Sequence, residues 1–267
     1  IDLRSLTIDV CNNITALDVS NNLKLTKLSA YSDGFGVLPK FRELIMTTGQ
    51  VITTTNGIDP EIITITYVDM PYPDDCAAII EDANLKAYVL ATYDDDKDGK
   101  ISETEALKVT AINAPSKNIA SLEGLTYFTN LTSINLANNA LTAADLSLFG
   151  KIMSLDLSNN QLVTLDFVRT PNIETLDVSN NQLTSVNNLS NVKALVTADL
   201  SHNQLTGLNA SYLSKMVSLD VSHNLMENSQ YGQGGLGVSE NAALKTLNFS
   251  YNNLYAIKVW SLVALET

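Results

Sequence analysis

The pattern that decides the fold is Leu131-Thr-Ser-Ile134-Asn-Leu136-Ala-Asn-Asn139-Ala-Leu141, or L-x-x-L-x-L-x-x-N-x-L, and it occurs six times. The other copies run over residues 152–162, 173–183, 195–205, 216–226 and 244–254. The ninth residue of each copy is a marker asparagine, and successive markers are 21, 21, 22, 21 and 28 residues apart: Asn139, Asn160, Asn181, Asn203, Asn224 and Asn252. A repeat of this length is typical of a solenoid, in which each unit stacks on the next.

The spacing of the apolar residues explains why the units must stack. In the L-x-L core of each copy, apolar and polar residues alternate with the period of a strand, so one face is apolar. A single short strand cannot bury that face alone, and neighbouring units therefore pair into a parallel sheet. The marker asparagine ends each strand at a turn, where we expect its amide to bond unpaired backbone groups and to form a ladder.

The residues between the apolar positions would line the concave face of this sheet, and all of them are small, polar or acidic. Four aspartates take equivalent positions and would stand in one row, about 4.8 Å apart: Asp156, Asp177, Asp199 and Asp220. Two interpretations remain open, a weakly acidic strip for a basic partner or cation, or a solvated face of short side chains. Because no aromatic residue occupies these positions, glycan recognition by stacking is disfavoured on this face.

The last repeats carry rings and an insertion. His202 and His223 each precede a marker asparagine and should be neighbours; because a third ligand is missing, we favour a structural role over a metal site. The glycine-rich residues 228–237 lengthen one repeat, and such insertions often map to the binding face. Four aromatic residues gather around it: Tyr231, Tyr251, Tyr255 and Trp260. This end is either a recognition patch or a flexible surface loop.

A second motif covers residues 94–105, Asp-Asp-Asp-Lys-Asp-Gly-Lys-Ile-Ser-Glu-Thr-Glu, and fits D-x-[DN]-x-[DN]-G-x5-E. Oxygen ligands in this pattern select a hard cation, and Ca²⁺ fits the loop best. The expected ligands are the carboxylates of Asp94, Asp96 and Asp98, the carbonyl of Lys100, Ser102 through a water molecule, and Glu105 in bidentate fashion. The alternative is an acidic, solvated turn without a metal.

The flanks of this motif predict helices. Apolar spacing predicts an amphipathic helix over residues 77–92 that ends at the loop, and Ser102-x-x-Glu105 predicts a capping box for a short exit helix. Because the chain has a single such loop, we interpret the site as structural rather than as a sensor.

The first 71 residues show a weaker form of the repeat. Strand patterns recur in residues 3–8 and 14–19, and residues 50–55 and 61–68 alternate as strands. We interpret this segment as the end of a preceding repeat block, joined to the rest by the Pro-rich residues 69–75. The chain begins at Ile1 without a signal peptide, and we expect it to be part of a longer protein.

Composition and cysteine content narrow the classes of function. The 267 residues hold 29 acidic and 16 basic side chains, and the net charge of −13 argues against nucleic acid as a partner. No apolar run approaches the roughly 18 residues of a membrane-spanning helix, so direct membrane insertion is not expected. No nucleophile–base pattern, phosphate loop or HExxH motif is present, which predicts that the chain is not an enzyme. Cys11 and Cys76 are interpreted as free thiols, with a disulfide left open for an oxidising compartment.

The repeat over residues 118–254 resembles leucine-rich repeats in the short variant of bacterial surface proteins. The segment from Ser102 to Phe128 resembles the helical cap of internalin-type proteins, which is related to an EF-hand. The order of repeat end, joint, cap and array resembles tandem leucine-rich repeat surface proteins of gut Bacteroidetes. The resemblance implies an α/β leucine-rich repeat solenoid with a curved parallel sheet, an EF-hand-like helical N-terminal cap, and an extracellular or cell-surface location.

These observations predict three parts: residues 1–71 as the end of a repeat block, 72–117 as the cap, and 118–267 as the array. The expected function is a non-enzymatic extracellular module for protein–protein interaction, stabilised by one structural Ca²⁺. The alternatives are a glycan-binding or substrate-capture protein that uses the Tyr/Trp cluster, and a spacer or adhesin stalk.

Overall fold

In the computed structural model the chain divides into two compact units, residues 1–71 and 72–267, which are described separately. The structure describes residues 74–147, 149–228, 235–257 and 261–266, together with the backbone of six strands in the first unit. Cys11 lies outside the described residues.

The first unit contains two parallel three-stranded sheets. Its strands are β1 Ser5–Asp9, β2 Ala16–Asp18, β3 Lys27–Tyr31, β4 Glu43–Thr47, β5 Thr53–Thr55 and β6 Thr64–Val68. One sheet has the order β1-β3-β5 and the other β2-β4-β6. Each strand therefore pairs with the next but one along the chain, which is the pairing that successive coils of a solenoid produce.

The second unit begins with two short helices, α1 Ala83–Tyr93 and α2 Glu103–Lys108. The prediction that the first helix starts at residue 77 is wrong, because Asp82 caps it by accepting hydrogen bonds from the backbone N–H groups of Asn84 and Leu85. The predicted capping box of α2 is confirmed. Within the part of the chain that the structure describes, neither helix is long and apolar enough to span a bilayer.

The main sheet of the second unit has seven parallel three-residue strands that follow one another in chain order. They are β7 Ala111–Asn113, β8 Ser133–Asn135, β9 Ser154–Asp156, β11 Thr175–Asp177, β13 Thr197–Asp199, β15 Ser218–Asp220 and β17 Thr246–Asn248. The central residue of each strand faces the core, and six of the seven are buried: Ile112, Ile134, Leu155, Leu176, Ala198 and Leu219. The parallel repeat sheet predicted from the L-x-L pattern is thus confirmed.

Two smaller parallel pairs were not expected from the sequence. β10 Thr164–Asp166 pairs with β12 Ser185–Asn187, and β14 Gly207–Asn209 pairs with β16 Gly235–Gly237. Along the chain, each of these strands lies between two strands of the main sheet. Some coils therefore contribute one strand to the main sheet and one strand to a smaller pair. Short 3-10 helices at Leu125–Tyr127 and Leu189–Asn191 complete the second unit.

The expected asparagine ladder is confirmed. The Nδ2 group of Asn181 donates to the carbonyl of Leu157 in the preceding coil at 3.0 Å and to Val178 in its own coil at 3.1 Å. Its Oδ1 atom accepts the backbone N–H of Leu162 at 3.0 Å. The other markers make the same set of bonds: Asn139, Asn160, Asn203, Asn224 and Asn252. Each marker therefore joins its own coil to the one before it and satisfies buried backbone groups.

Candidate binding face and metal centre

The strand register brings the predicted aspartates together. Four of them pair directly across neighbouring strands of the main sheet: Asp156, Asp177, Asp199 and Asp220. We call this line the aspartate row, and we call the side of the sheet formed by the first and third residues of each strand the outward face. The same line continues with asparagines at both ends: Asn113, Asn135 and Asn248.

Six of these side chains accept the backbone N–H two positions further along the chain: Asn135, Asp156, Asp177, Asp199, Asp220 and Asn248. Asp177 Oδ1 accepts the backbone N–H of Ser179 at 3.0 Å, two positions along the chain. Asn135 Oδ1 accepts the corresponding N–H of Ala137, also at 3.0 Å. Asparagine therefore closes this turn as well as aspartate does, and the turn itself does not need the negative charge.

The surroundings at the centre of the row oppose the negative charge. Burial raises the pKa of the Asp177 carboxyl above its usual range, and the charges of Asp156 and Asp199 raise it further. The ionised form of Asp177 is therefore less favourable in the folded chain than in water. The half-buried row provides a negative line along the outward face that attracts cationic groups.

A second line runs beside it. The residue before each marker asparagine has a left-handed backbone, and in the last three repeats it carries a ring, with φ of 54° at His202, 53° at His223 and 54° at Tyr251. The centroids of His202 and His223 are 4.1 Å apart with the planes at 10°, and Tyr251 stacks on His223 at 4.1 Å and 16°. We call these three residues the ring stack.

The stack confirms that the two histidines are neighbours. The interpretation of this pair as structural rather than as a metal site stays a prediction. The sequence analysis did not predict that Tyr251 would join the two histidines. The signal was present, because Tyr251 also directly precedes a marker asparagine, Asn252.

The ring stack adds little to the stability of the fold. A left-handed backbone costs Tyr251 about 1–2 kcal/mol, since tyrosine lacks the tolerance that asparagine and histidine have for it, while its stacking on His223 is worth about 0.5–1.5 kcal/mol beyond the buried area. The two effects are of the same size and nearly cancel. The rings are also exposed, with 74% of the Tyr251 surface accessible, so burial does not explain them.

The other predicted aromatic residues are only partly described. Tyr255 is exposed, and its backbone N–H donates to Asn228 Oδ1 at 2.9 Å. Tyr231 and Trp260 lie outside the described residues. The interpretation of residues 228–237 as a flexible loop is wrong for their last part, because Gly235–Gly237 forms β16 beside β14.

The acidic loop, residues 94–105, brings three of its predicted ligands together. Asp94, Asp96 and Asp98 each place one carboxylate oxygen within 4.8 Å of the others. Two oxygens that bind one Ca²⁺ at about 2.3–2.6 Å lie no more than about 5 Å apart, so this spacing suits the ion. The Oδ1 atom of Asp94 is buried and has no hydrogen-bond partner. A buried, unpaired carboxylate oxygen is costly, and a bound cation would satisfy it.

Glu105 is not part of this group of three. Its Oε1 accepts the backbone N–H of Asp95 at 2.7 Å, and its Oε2 accepts both the backbone N–H and the hydroxyl of Ser102, at 2.8 and 2.7 Å. The hydroxyl and N–H of Ser102 lower the pKa of Glu105 to about 2. The side chain is 6% exposed, so the carboxylate is held ionised inside the loop. The backbone N–H of Lys100 donates to Asp98 Oδ1 at 2.8 Å, which tightens the turn.

The acidic loop is fixed to the core through its eighth residue. Ile101 is fully buried, its carbonyl accepts the N–H of Cys76 at 2.7 Å, and its own N–H donates to Asp75 Oδ1 at 3.0 Å. Asp75 was not expected to take part in the loop, because nothing in its local sequence marks it. Burial raises the pKa of the neighbouring Cys76 thiol to about 11, which agrees with its interpretation as a free and unreactive cysteine.

Comparison with known proteins agrees with this geometry. Residues 129–183 match the family model described as leucine rich repeat. The fold is a leucine-rich repeat solenoid. The structure of internalin C2 from Listeria monocytogenes is similar at 20% identity and a TM-score of 0.51, over 73% of this chain and 96% of that one.

The functional domain of InlJ from Listeria monocytogenes, described as including a cysteine ladder, is similar at 21% identity and a TM-score of 0.52. The match covers 95% of this chain and 50% of that one, so this chain spans about half the length of that relative. At these identities the likeness concerns the fold. Solenoids of this kind commonly bind other proteins along the surface of their sheet.

Proposed function

We propose that this leucine-rich repeat chain is a non-enzymatic binding module that holds a basic surface of a partner protein on its outward face. The observation that carries the proposal is the aspartate row. Asn135 and Asn248 show that the turn works without a charge, yet four successive coils carry a carboxylate here, although burial and the charges of Asp156 and Asp199 raise the pKa of Asp177. Charge kept at a cost in stability is typical of a functional surface.

The size and chemistry of the outward face support a protein rather than a small ligand. Short side chains over seven strands provide an extended, shallow surface, whereas small-molecule sites are concave pockets with convergent groups. Complementary charge provides orientation and speeds association, which suits a row of carboxylates facing Lys and Arg.

The proposal includes a calcium site. In it, α1, the acidic loop and α2 form an EF-hand-like cap, with Asp94, Asp96 and Asp98 as carboxylate ligands, Lys100 through its carbonyl, Ser102 through water, and Glu105 completing the set. The fit of the three aspartates and the unpaired Asp94 Oδ1 support it. When bound, the ion would neutralise part of the charge of this loop and stabilise the cap.

With this function we propose the exported, cell-surface setting that the resemblance to internalin-type and Bacteroidetes surface proteins implies. A structural calcium loop suits such a setting, since extracellular calcium modules have weak affinities matched to high free Ca²⁺.

The binding function is tested by selecting random displayed peptides on the wild-type chain at saturating Ca²⁺. We expect enrichment of Lys- and Arg-rich peptides, and about fivefold weaker binding to Asp177→Asn, since one exposed charge contact is worth about 1 kcal/mol. Asp166→Asn is the matched control, because Asp166 accepts the N–H of Val168 in the same way but lies on β10. Peptides without excess basic residues, or equal binding to Asp177→Asn, would contradict the proposal.

The calcium site is tested by calorimetric titration of wild type and Asp94→Ala with Ca²⁺. We expect one site in wild type and no binding in the variant. At free Ca²⁺ about 100-fold above Kd the stabilisation is about 2.7 kcal/mol, which raises Tm by about 5–10 °C. Asp95→Asn is the control, because that side chain pairs with Lys108 at 2.7 Å and takes no ligand position. A melting curve that chelator leaves unchanged would contradict the calcium site.

A further inference from the structure

The position before the marker asparagine changes its chemistry along the array. In the first three of the six repeats it is asparagine, with φ of 57° at Asn138, 55° at Asn159 and 54° at Asn180. In the last three it is the ring stack, at the same backbone conformation. Asparagine and histidine are among the residues that tolerate a left-handed backbone best, and tyrosine is not. Tyr251 therefore stands where the backbone favours another residue.

Within the part of the chain that the structure describes, the ring contacts of the stack are between its own members, and all three residues are exposed. Tyr251 is an exposed ring at a conformation that disfavours tyrosine, an outlier of the kind that functional surfaces produce. The Tyr251 ring in particular keeps most of its surface accessible, so it can receive a further planar group.

The surroundings of the ring stack specify the charge of its ligand. Going from the rings into the outward face, the next line of side chains is Ser201, Ser222 and Ser250, and the line after that begins with Asp199 and Asp220. Glu174 and Lys245 are the charged residues that directly precede the strands of the main sheet, and both are exposed. Carboxylates thus outnumber amines on this side of the described coils, which favours a cationic group beside the rings.

We propose that the ring stack and the neighbouring Asp199 and Asp220 form one subsite that takes an arginine-bearing segment of the partner protein. A guanidinium group is planar, stacks on aromatic faces and pairs with carboxylates through its fork of N–H donors. The ammonium group of lysine is a point charge and has no planar face that could stack on the rings. The subsite therefore distinguishes arginine from lysine, which the aspartate row alone does not. This inference rests on the proposed binding function and adds to it a preference for arginine over lysine.

The test replaces the three rings by the residue that the same position carries elsewhere in the array: His202→Asn, His223→Asn and Tyr251→Asn. Because asparagine suits the left-handed backbone, the triple variant is expected to fold with wild-type circular dichroism. Tyr212→Asn is the matched control, since Tyr212 has φ of 63° and is 63% exposed but follows β14 rather than a strand of the main sheet.

The probes are two labelled peptides, four Arg-Ser repeats and four Lys-Ser repeats, measured by fluorescence anisotropy at low salt and saturating Ca²⁺. We expect the arginine peptide to bind wild type about fivefold more tightly than the lysine peptide, the size of one exposed cation–ring contact. The triple variant should bind both peptides equally, and Tyr212→Asn should behave as wild type.

Each other outcome overturns the inference in its own way. If both peptides bind wild type equally, or if the triple variant keeps the arginine preference, the ring stack is not an arginine subsite, while the proposed function stands. If neither peptide binds wild type or Asp177→Asn, the proposed basic partner fails as well. If a glycan array gives wild-type binding that the triple variant loses, with no peptide binding, the rings serve a carbohydrate instead.

Discussion

Asn181 joins two coils through a single side chain, because its amide satisfies the carbonyl of Leu157, the carbonyl of Val178 and the N–H of Leu162. Asn181→Ala would leave these buried groups unpaired, and we expect a loss of about 2–3 kcal/mol in the free energy of unfolding. The measurement is urea denaturation. Gln182→Ala is the control, since that side chain is exposed. Equal stability of the two variants would show that the ladder does not hold the coils together.

The raised pKa of Asp177 predicts how the stability of the chain depends on pH. Its pKa is raised in the folded chain, so the ionised carboxyl opposes folding above that pKa, and the opposition disappears as pH falls below the unfolded value of 3.8. Asp177→Asn keeps an acceptor for Ser179 and removes the charge. We expect the variant to be more stable than wild type at pH 7, and the difference to vanish as pH falls towards 3.8. Denaturation across that range checks the sign. A variant that is less stable at pH 7 would contradict it.

At the scale of an element, α2 depends on the carboxylate that caps it. The pKa of Glu105 is lowered from 4.5 to about 2, so its contribution to stability is complete above pH 4.5 and is lost as pH falls towards 2. Glu105→Gln should therefore be less stable than wild type at neutral pH, with a difference that narrows below pH 4.5. The comparison is made in chelator, so that no metal contributes. Glu103→Gln, an exposed neighbour on the same helix, should show no such pH dependence.

The main sheet shows which elements a repeat pattern can predict. Its seven strands follow the period-2 alternation and the ladder, both of which are local to one coil and its neighbour. The strands of the two smaller pairs, β10, β12, β14 and β16, were not predicted, because their pairing depends on how each coil returns to the next. The start of α1 was also misplaced, because the capping bonds of Asp82 outweigh the apolar spacing that precedes it.

At the scale of the whole molecule, each coil of the second unit contacts chiefly its neighbours, so a ligand at one end should act locally. We expect Ca²⁺ to slow amide hydrogen exchange most strongly in α1, the acidic loop and α2, less in β7 and β8, and not in β17. Hydrogen exchange followed by mass spectrometry, with Ca²⁺ and with chelator, gives this profile. Equal protection from β7 to β17 would contradict nearest-neighbour coupling and indicate that the array responds as one cooperative block.

The sequence by itself determined the solenoid, the marker ladder, the alignment of Asp156, Asp177, Asp199 and Asp220, and the residue types of the acidic loop. These features follow from spacing along one chain, since a strict repeat places equivalent residues in equivalent environments. Only the tertiary structure decided that Tyr251 completes the stack begun by His202 and His223, that Asp75 holds Ile101, and that Glu105 bonds Ser102 and Asp95 apart from the other three carboxylates. Such contacts depend on side-chain direction and on segments that are far apart in sequence, and neither can be predicted from residue spacing alone.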